Sequence, residues 1–121
     1  MATATTETLH ARLVAAFRAA ARAAQAADPG QDADGGSCNF DAPAFRVDRA
    51  RAAVIEAASH ESGVSAMPFD WFGGRRWWWL RVPLFGQGLR RSMMSTAATA
   101  ALREALADVP RVHVCQYCQT D

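Results

Sequence analysis

Between Trp71 and Arg103 the chain carries six arginines (Arg75, Arg76, Arg81, Arg90, Arg91 and Arg103) and no Asp or Glu. That stretch holds +6, so the rest of the chain holds −5 against a net charge of +1. All thirteen basic side chains are Arg and none is Lys. A GC-rich genome explains the Arg-only usage and the alanine excess, but not the clustering. Arg grips phosphate bidentately and stacks on aromatic planes. Among these arginines lie Phe69, Trp71, Phe72, Trp77, Trp78, Trp79 and Phe85, with all four tryptophans between Trp71 and Trp79. The stretch 69–91 is thus a basic, aromatic patch, chemically suited to a phosphate-bearing ligand.

The patch has two parts. In Gly86-Gln87-Gly88-Leu89-Arg90-Arg91-Ser92 two glycines precede a helix that opens on two arginines and a serine. Glycine lets backbone approach a ligand, and a helix start presents unpaired N–H groups and the positive end of its dipole. Such a terminus takes an anion, and paired arginines clamp phosphate from the sides. The assigned phosphate contacts are Gly86, Gly88, Arg90, Arg91 and Ser92. The segment is neither a Walker loop nor the dinucleotide fingerprint, because it lacks Gly-Lys-Ser/Thr and a third glycine. A plain loop-to-helix connection with solvated arginines is the alternative. The second part is aromatic. Three consecutive tryptophans on a strand cannot all face inward, because side chains alternate. An outward Trp needs a cover: a purine base, a neighbouring subunit or a second chain. Phe69, Trp71 and Trp77 are the expected stacking residues, with Arg76 at the pocket border.

Other chemistry finds less footing. A single Cys115-x-x-Cys118, with His113 and distant Cys38, lacks the second pair that a zinc site wants. On a strand, residues three apart face opposite sides. Thioredoxin-type chemistry places its pair at a helix start, whereas this pair closes the chain. No metal and no cofactor are expected. The histidines (His10, His60, His113) are scattered, and no carboxylate pair falls inside the patch for general acid–base work. No catalytic residue is assigned, and the chain reads as a binding protein rather than an enzyme.

Several elements must position these residues. Leu9, Leu13, Ala16, Phe17, Ala20, Ala24 and Ala27 repeat at 3.6-residue spacing, which predicts a helix over 6–27. Its shallow alanine stripe suits close approach by another helix, as in docking or oligomer contact. Asp28-Pro29-Gly30 stops it and 32–37 continues as a Gly/Asp loop. An extended segment over 38–47, interrupted by Pro43, predicts an edge or irregular strand. Asp48 is the expected N-cap of a helix over 49–60. Strands over 65–72 and 75–82 join at Gly73-Gly74 as a hairpin. Along the second, Arg76, Trp78, Leu80 and Val82 share one face and Trp77, Trp79 and Arg81 the other. A helix over 89–107, ended by Pro110, and a strand over 112–119 complete the chain. The fold class is α+β: an N-terminal helix, then a β-α-β-β-α-β unit with an antiparallel sheet and two helices, the ferredoxin-like arrangement. The expected division sets residues 1–34 as an oligomer anchor and 35–121 as the ligand-binding domain.

At 121 residues with half of them hydrophobic, the chain suits one globular core. It has neither an apolar run of membrane-spanning length nor a secretion signal pattern, so no membrane association is expected. Three cysteines are too few for a disulfide scaffold, and a reducing cytoplasm is the simpler setting. A basic-aromatic patch suits single-stranded nucleic acid or a small nucleotide. Polymer binding leans on greater positive charge and a longer track, so the small ligand is favoured.

Three segments resemble a known family. Gly35-Gly36-Ser37-Cys38-Asn39-Phe40-Asp41 followed by Pro43 is similar to a G-T-C-N-F-D-x-P signature. Gly86-Gln87-Gly88-x-Arg90-Arg91 is similar to G-Q-G-N-R after a hairpin, and Gln116-Tyr117-x-Gln119-Thr120-Asp121 to a Y-Y-Q-x-D terminus. These are features of small phage proteins of the first Thoeris anti-defence family. The likeness covers about residues 35–121, and departs from the family with Ser37 for Thr, Leu89 for Asn, and extra tryptophan. Leu89 leaves one polar ligand contact without a counterpart. The resemblance implies a phage-encoded sponge in the bacterial host cytosol. Such a protein sequesters a cyclic ADP-ribose-type signal without cleaving it, and in some members cyclic oligonucleotides. It also implies a dimer or hexamer anchored by the N-terminal helix. Two alternatives stand beside it: an anti-CRISPR-like inhibitor that binds a bacterial defence effector, and a small single-stranded nucleic-acid-binding protein.

Overall fold

The structure is a computed structural model that describes residues 8–33, 41–71, 74–82 and 88–118. Helix α1 (Leu9–Ala26) comes first, followed by a short 3₁₀ turn at Gln31–Ala33. Then come β1 (Ala42–Val47), α2 (Ala52–Ser62), β2 (Ser65–Trp71), β3 (Arg75–Arg81), α3 (Leu89–Ala105) and β4 (Val112–Tyr117). The strands form one antiparallel sheet in the order β2-β3-β1-β4. This is the β-α-β-β-α-β arrangement expected from the sequence, with α1 added in front.

Thr8 caps α1, its Oγ1 accepting from the Ala11 N–H at 3.1 Å. The helix buries Leu13, Val14, Ala16, Phe17, Ala20 and Ala24 against α2, α3 and the sheet. The alanine stripe does admit a close helix neighbour, but the neighbours are α3 and α2 of the same chain. Phe17 meets Phe45 of β1 with ring centroids 5.2 Å apart. Polar contacts fasten the outside. Arg12 pairs with Asp108, Arg18 donates to the Glu61 carbonyl at 3.2 Å, and His10 lies 3.2 Å from Glu61. Among the described residues α1 shares one hydrophobic core with the strands and the other two helices.

Two expectations change. Asp48 does not cap α2, which begins at Ala52 behind Arg51, a residue that makes no side-chain cap bond. The β1 strand is central rather than at an edge, and Pro43 is buried within it. Its ladder to β4 covers six residue pairs, whereas its ladder to β3 holds only Ala44↔Trp79 and Phe45↔Trp78. Pro43 has no N–H to give a ladder, and the pairing to β3 starts just past it. The sheet thus consists of two well-paired halves joined by a short seam. The β2–β3 hairpin forms as expected: Trp71 pairs with Arg75, and Gly74 takes φ +74°, where a side chain would be strained. Pro68 sits on β2, an edge strand, where a missing donor is harmless.

All three helices cover one face of the sheet. Phe45, Trp78, Leu80 and Val82 enter the main core there with Ile55, Met94, Ala98 and Leu102. Ser95 and Thr99 are buried on α3 as well, outside the apolar stripe legible in the sequence, and Thr99 Oγ1 donates to the Ser95 carbonyl at 2.8 Å.

Candidate functional site

Strand alternation sends Trp77 and Trp79 to the face that the helices leave uncovered, together with Phe69 and Trp71 of β2 and Tyr117 of β4. The five rings form one cluster. Phe69 stacks on Trp79 at 4.2 Å with 16° between planes. Trp71 meets Trp77 edge-on at 5.1 Å, and Tyr117 meets Phe69, Trp71 and Trp79 edge-on at 5.6, 5.2 and 5.3 Å. Offset-stacked and edge-to-face pairs are the favoured aromatic geometries.

Trp71 and Tyr117 stand on opposite edge strands of the sheet, yet their rings touch. Two local features make this contact feasible. The ladder between the halves is short, only two residue pairs of β1 and β3. The open-face residues of β1 at that end are Ala42 and Ala44, small enough for Tyr117 to lie across them, and Ala44 is fully buried. The outward tryptophans therefore find part of their cover within the chain. Trp77 is sealed at 6% exposure, whereas Phe69, Trp71, Trp79 and Tyr117 stay half-buried around a shallow aromatic cleft.

Arginines border the cleft. Arg46 lies 5.2 Å from the Trp77 ring centroid, a cation–π contact. Arg75 and Arg81 end β3 on the same face and are exposed; among the described residues the Arg81 side chain reaches the Met67 sulfur, at 3.7 Å. At the Arg75 end, Asp48 gathers the cations. It pairs with Arg46 Nε and His113 Nε2, each at 3.0 Å, and lies 3.8 Å from Arg75. Partial burial works to raise the Asp48 carboxyl, but the His113 bond and the Arg46 charge outweigh it, leaving it below the usual carboxylate value.

The Gly-Arg helix start is built differently from a phosphate clamp. Arg90 forms a two-pronged pair with Asp28, just beyond α1, at 2.8 and 2.9 Å. This holds the Asp28 carboxyl down at about 2, from an ordinary 3.8, through the Arg90 hydrogen bond and then the Gly30 N–H. As a clamp, Arg90 would first have to leave Asp28. Arg91 Nε donates to the Asp41 carbonyl at 3.1 Å, which places Arg91 at the β1 start, beside the β4 end where Tyr117 stands. Ser92 lies half-buried in the first turn, and Gly88 precedes α3 with φ +63°. Gly86 lies outside the described residues, as do Phe72, Gly73, Phe85, residues 35–40 of the first motif and the last three residues.

Arg76 belongs elsewhere. Alternation turns it to the helix-covered face, where it sits 3.8 Å from Asp70 and lines a separate pocket of about 300 Å³ with Trp78, Ile55 and Val47. It does not border the cleft beside Trp77, because neighbouring residues on a strand point to opposite faces. The cysteines also part: Cys115 is half-buried on β4, whereas Cys118 is exposed beyond the strand end. Burial, then Asp41 and Cys115, push the Cys118 thiol up, away from thiolate reactivity. No group of His, Cys, Asp or Glu among the described residues is arranged to hold a metal. Nor is any helix among them long and apolar enough to cross a membrane.

Arg46, Trp79 and Tyr117 are the site residues that motif reading left unassigned. Alternation along β3 and β4 was the available signal for two of them; the cross-sheet contact of Tyr117 had none. Compared with protein-family models, curated proteins and solved structures, the chain matches none.

Proposed function

We propose that this protein binds a small nucleotide and holds it without chemical change, the base lodged in the aromatic cleft and the phosphates on bordering arginines. The observation that carries this reading is the half-buried cluster of Phe69, Trp71, Trp79 and Tyr117 with Arg75 and Arg81 at the ends of the same face. Aromatic faces suit bases, and arginine suits phosphate. With the family resemblance of the three motifs, the specific form of the reading is a sponge for a cyclic ADP-ribose-type or cyclic oligonucleotide signal. In this reading Arg75 and Arg81 join Arg91 as phosphate contacts in place of Arg90, which Asp28 engages.

Calorimetric titration with cyclic ADP-ribose isomers and cyclic oligoadenylates tests the reading. Saturable heat is expected with at least one, and the ligand should be recovered intact after heat denaturation of the protein. No heat at tens of micromolar protein rejects the reading, and an altered ligand rejects sequestration in favour of catalysis.

One observation favours a second reading. Aromatic side chains on the open face of a four-stranded β-α-β-β-α-β sheet are how RNA-recognition modules stack two or three bases. Under that reading single-stranded oligonucleotides bind with a steep salt dependence, and the cyclic nucleotides do not compete.

A further inference from the structure

The aromatic cleft holds a polar atom that the fold does not satisfy. Trp79 Nε1 is buried and has no hydrogen-bond partner among the described residues. Buried donors are almost always paired, so an orphan within this aromatic cluster points to an absent acceptor. An indole N–H only donates, so the complementary group is an acceptor. The surroundings narrow the choice. Phe69 covers one face of Trp79 at 4.2 Å, and Tyr117 meets it edge-on at 5.3 Å. A phosphate or carboxylate brought among these rings would lose its hydration, and the cation there, Arg46, is already engaged by Asp48, so the cost stays high. A ring nitrogen or carbonyl at the edge of a flat heterocycle carries an acceptor there without that cost. The charged part of the same molecule then falls toward Arg75 or Arg81, at the two ends of β3 on this face.

We propose that the Trp79 Nε1–H is the specificity donor of the cleft, bonding an in-plane acceptor on the edge of a bound nucleobase. This rests on the nucleotide reading above. An in-plane bond sets the base edge against the edge of Trp79 and leaves the faces of the base to neighbouring rings. Tyr117 is the ring that gives way. It comes from β4, across the two-pair seam from β3, so a small opening of the sheet halves separates it from Trp79 without disturbing the β2–β3 ladder. Trp79 thus selects among flat molecules for those with an edge acceptor, whereas stacking alone accepts any ring.

The test replaces Trp79 in the full-length chain with 3-benzothienylalanine, which keeps the bicyclic shape and puts sulfur in place of N–H. Wild type and variant are titrated with cyclic ADP-ribose and cyclic oligoadenylate. The expected result is about a tenfold loss of affinity in the variant, the usual scale for one removed hydrogen bond. Its melting temperature should be unchanged or higher, because a buried unpaired donor has been removed. In ¹⁵N spectra of the wild type, the indole signal missing from the variant should move downfield on ligand saturation. Affinity equal within about twofold overturns the donor role while leaving the nucleotide reading intact. A lower melting temperature also overturns it, since the N–H would then serve the fold. If the wild type binds neither probe, both this proposal and the nucleotide reading fall.

Discussion

Asp28 and Arg90 are joined by two hydrogen bonds of 2.8 and 2.9 Å, tying the end of α1 to the first turn of α3. The arginine that reads from sequence as half of a phosphate clamp thereby fastens the start of α3 to the segment after α1. Two-pronged Arg–carboxylate pairs are strong and geometrically demanding, and Lys cannot reproduce them.

Asp28→Asn should lower the chemical denaturation midpoint at neutral pH, and Arg90→Lys should do so too. The pH dependence has a definite sign. The folded Asp28 value, about 2, lies below its ordinary 3.8, so the folded state favours the ionised form. Its stabilisation is fully present above about pH 4 and is lost as pH falls through about 2. The gap between wild type and Asp28→Asn should therefore be constant from pH 7 to pH 5 and narrow below pH 4. Denaturant midpoints measured across this range check it, and a gap that persists unchanged toward pH 2 would refute the assignment.

Phe17 is fully buried and packs on Phe45, so α1 is structural. Phe17→Ala should destabilise the chain by about 3–5 kcal/mol, the usual cost of deleting a buried aromatic ring. Removal of residues 1–27 should leave an aggregating, poorly folded remainder. A dispensable anchor would instead leave a well-folded monomer. Near-ultraviolet circular dichroism and size-exclusion chromatography separate the two outcomes.

Asp48 offsets the charge of Arg46 and Arg75 at one end of the cleft and also bonds His113. Asp48→Asn removes the carboxylate charge and leaves the arginines, which raises the positive potential at the Arg75 end. A phosphate-bearing ligand should then bind more tightly, by about two- to tenfold at low salt. The gain should shrink near 0.15 M salt, where the screening length is about 8 Å. Titrations at two ionic strengths measure it. Weaker binding at low salt would show that Asp48 orders the arginines more than it opposes the ligand.

Much of the fold was legible because local rules dominate it. The 3.6-residue stripe of α1, the Gly-Gly turn of the hairpin and the long α3 repeat each follow from covalent geometry and side-chain period. Alternation on β3 grouped Trp78, Leu80 and Val82 on one face, and that is the face the core takes. The errors arose where a residue had two physically valid uses. Asp48 reads as a helix cap because it precedes a helix, but two arginines and His113 converge on it from β1, β3 and β4. Pro43 reads as an edge residue because it lacks a donor, but a central strand tolerates it where the ladder to β3 has not yet begun.

The sequence by itself determined that aromatic and cationic side chains crowd one stretch, that they fall on alternating strand faces, and that a helix starts on two arginines. Those are properties of composition and period, which act within a few residues. Only the tertiary structure decided that Arg90 belongs to Asp28, that Arg76 lies on the other face from Trp77, and that Tyr117 from the chain's end completes the cleft with Trp71 and Trp79. These outcomes depend on which distant segments the sheet and packed helices bring within a few ångströms, and no local pattern encodes that.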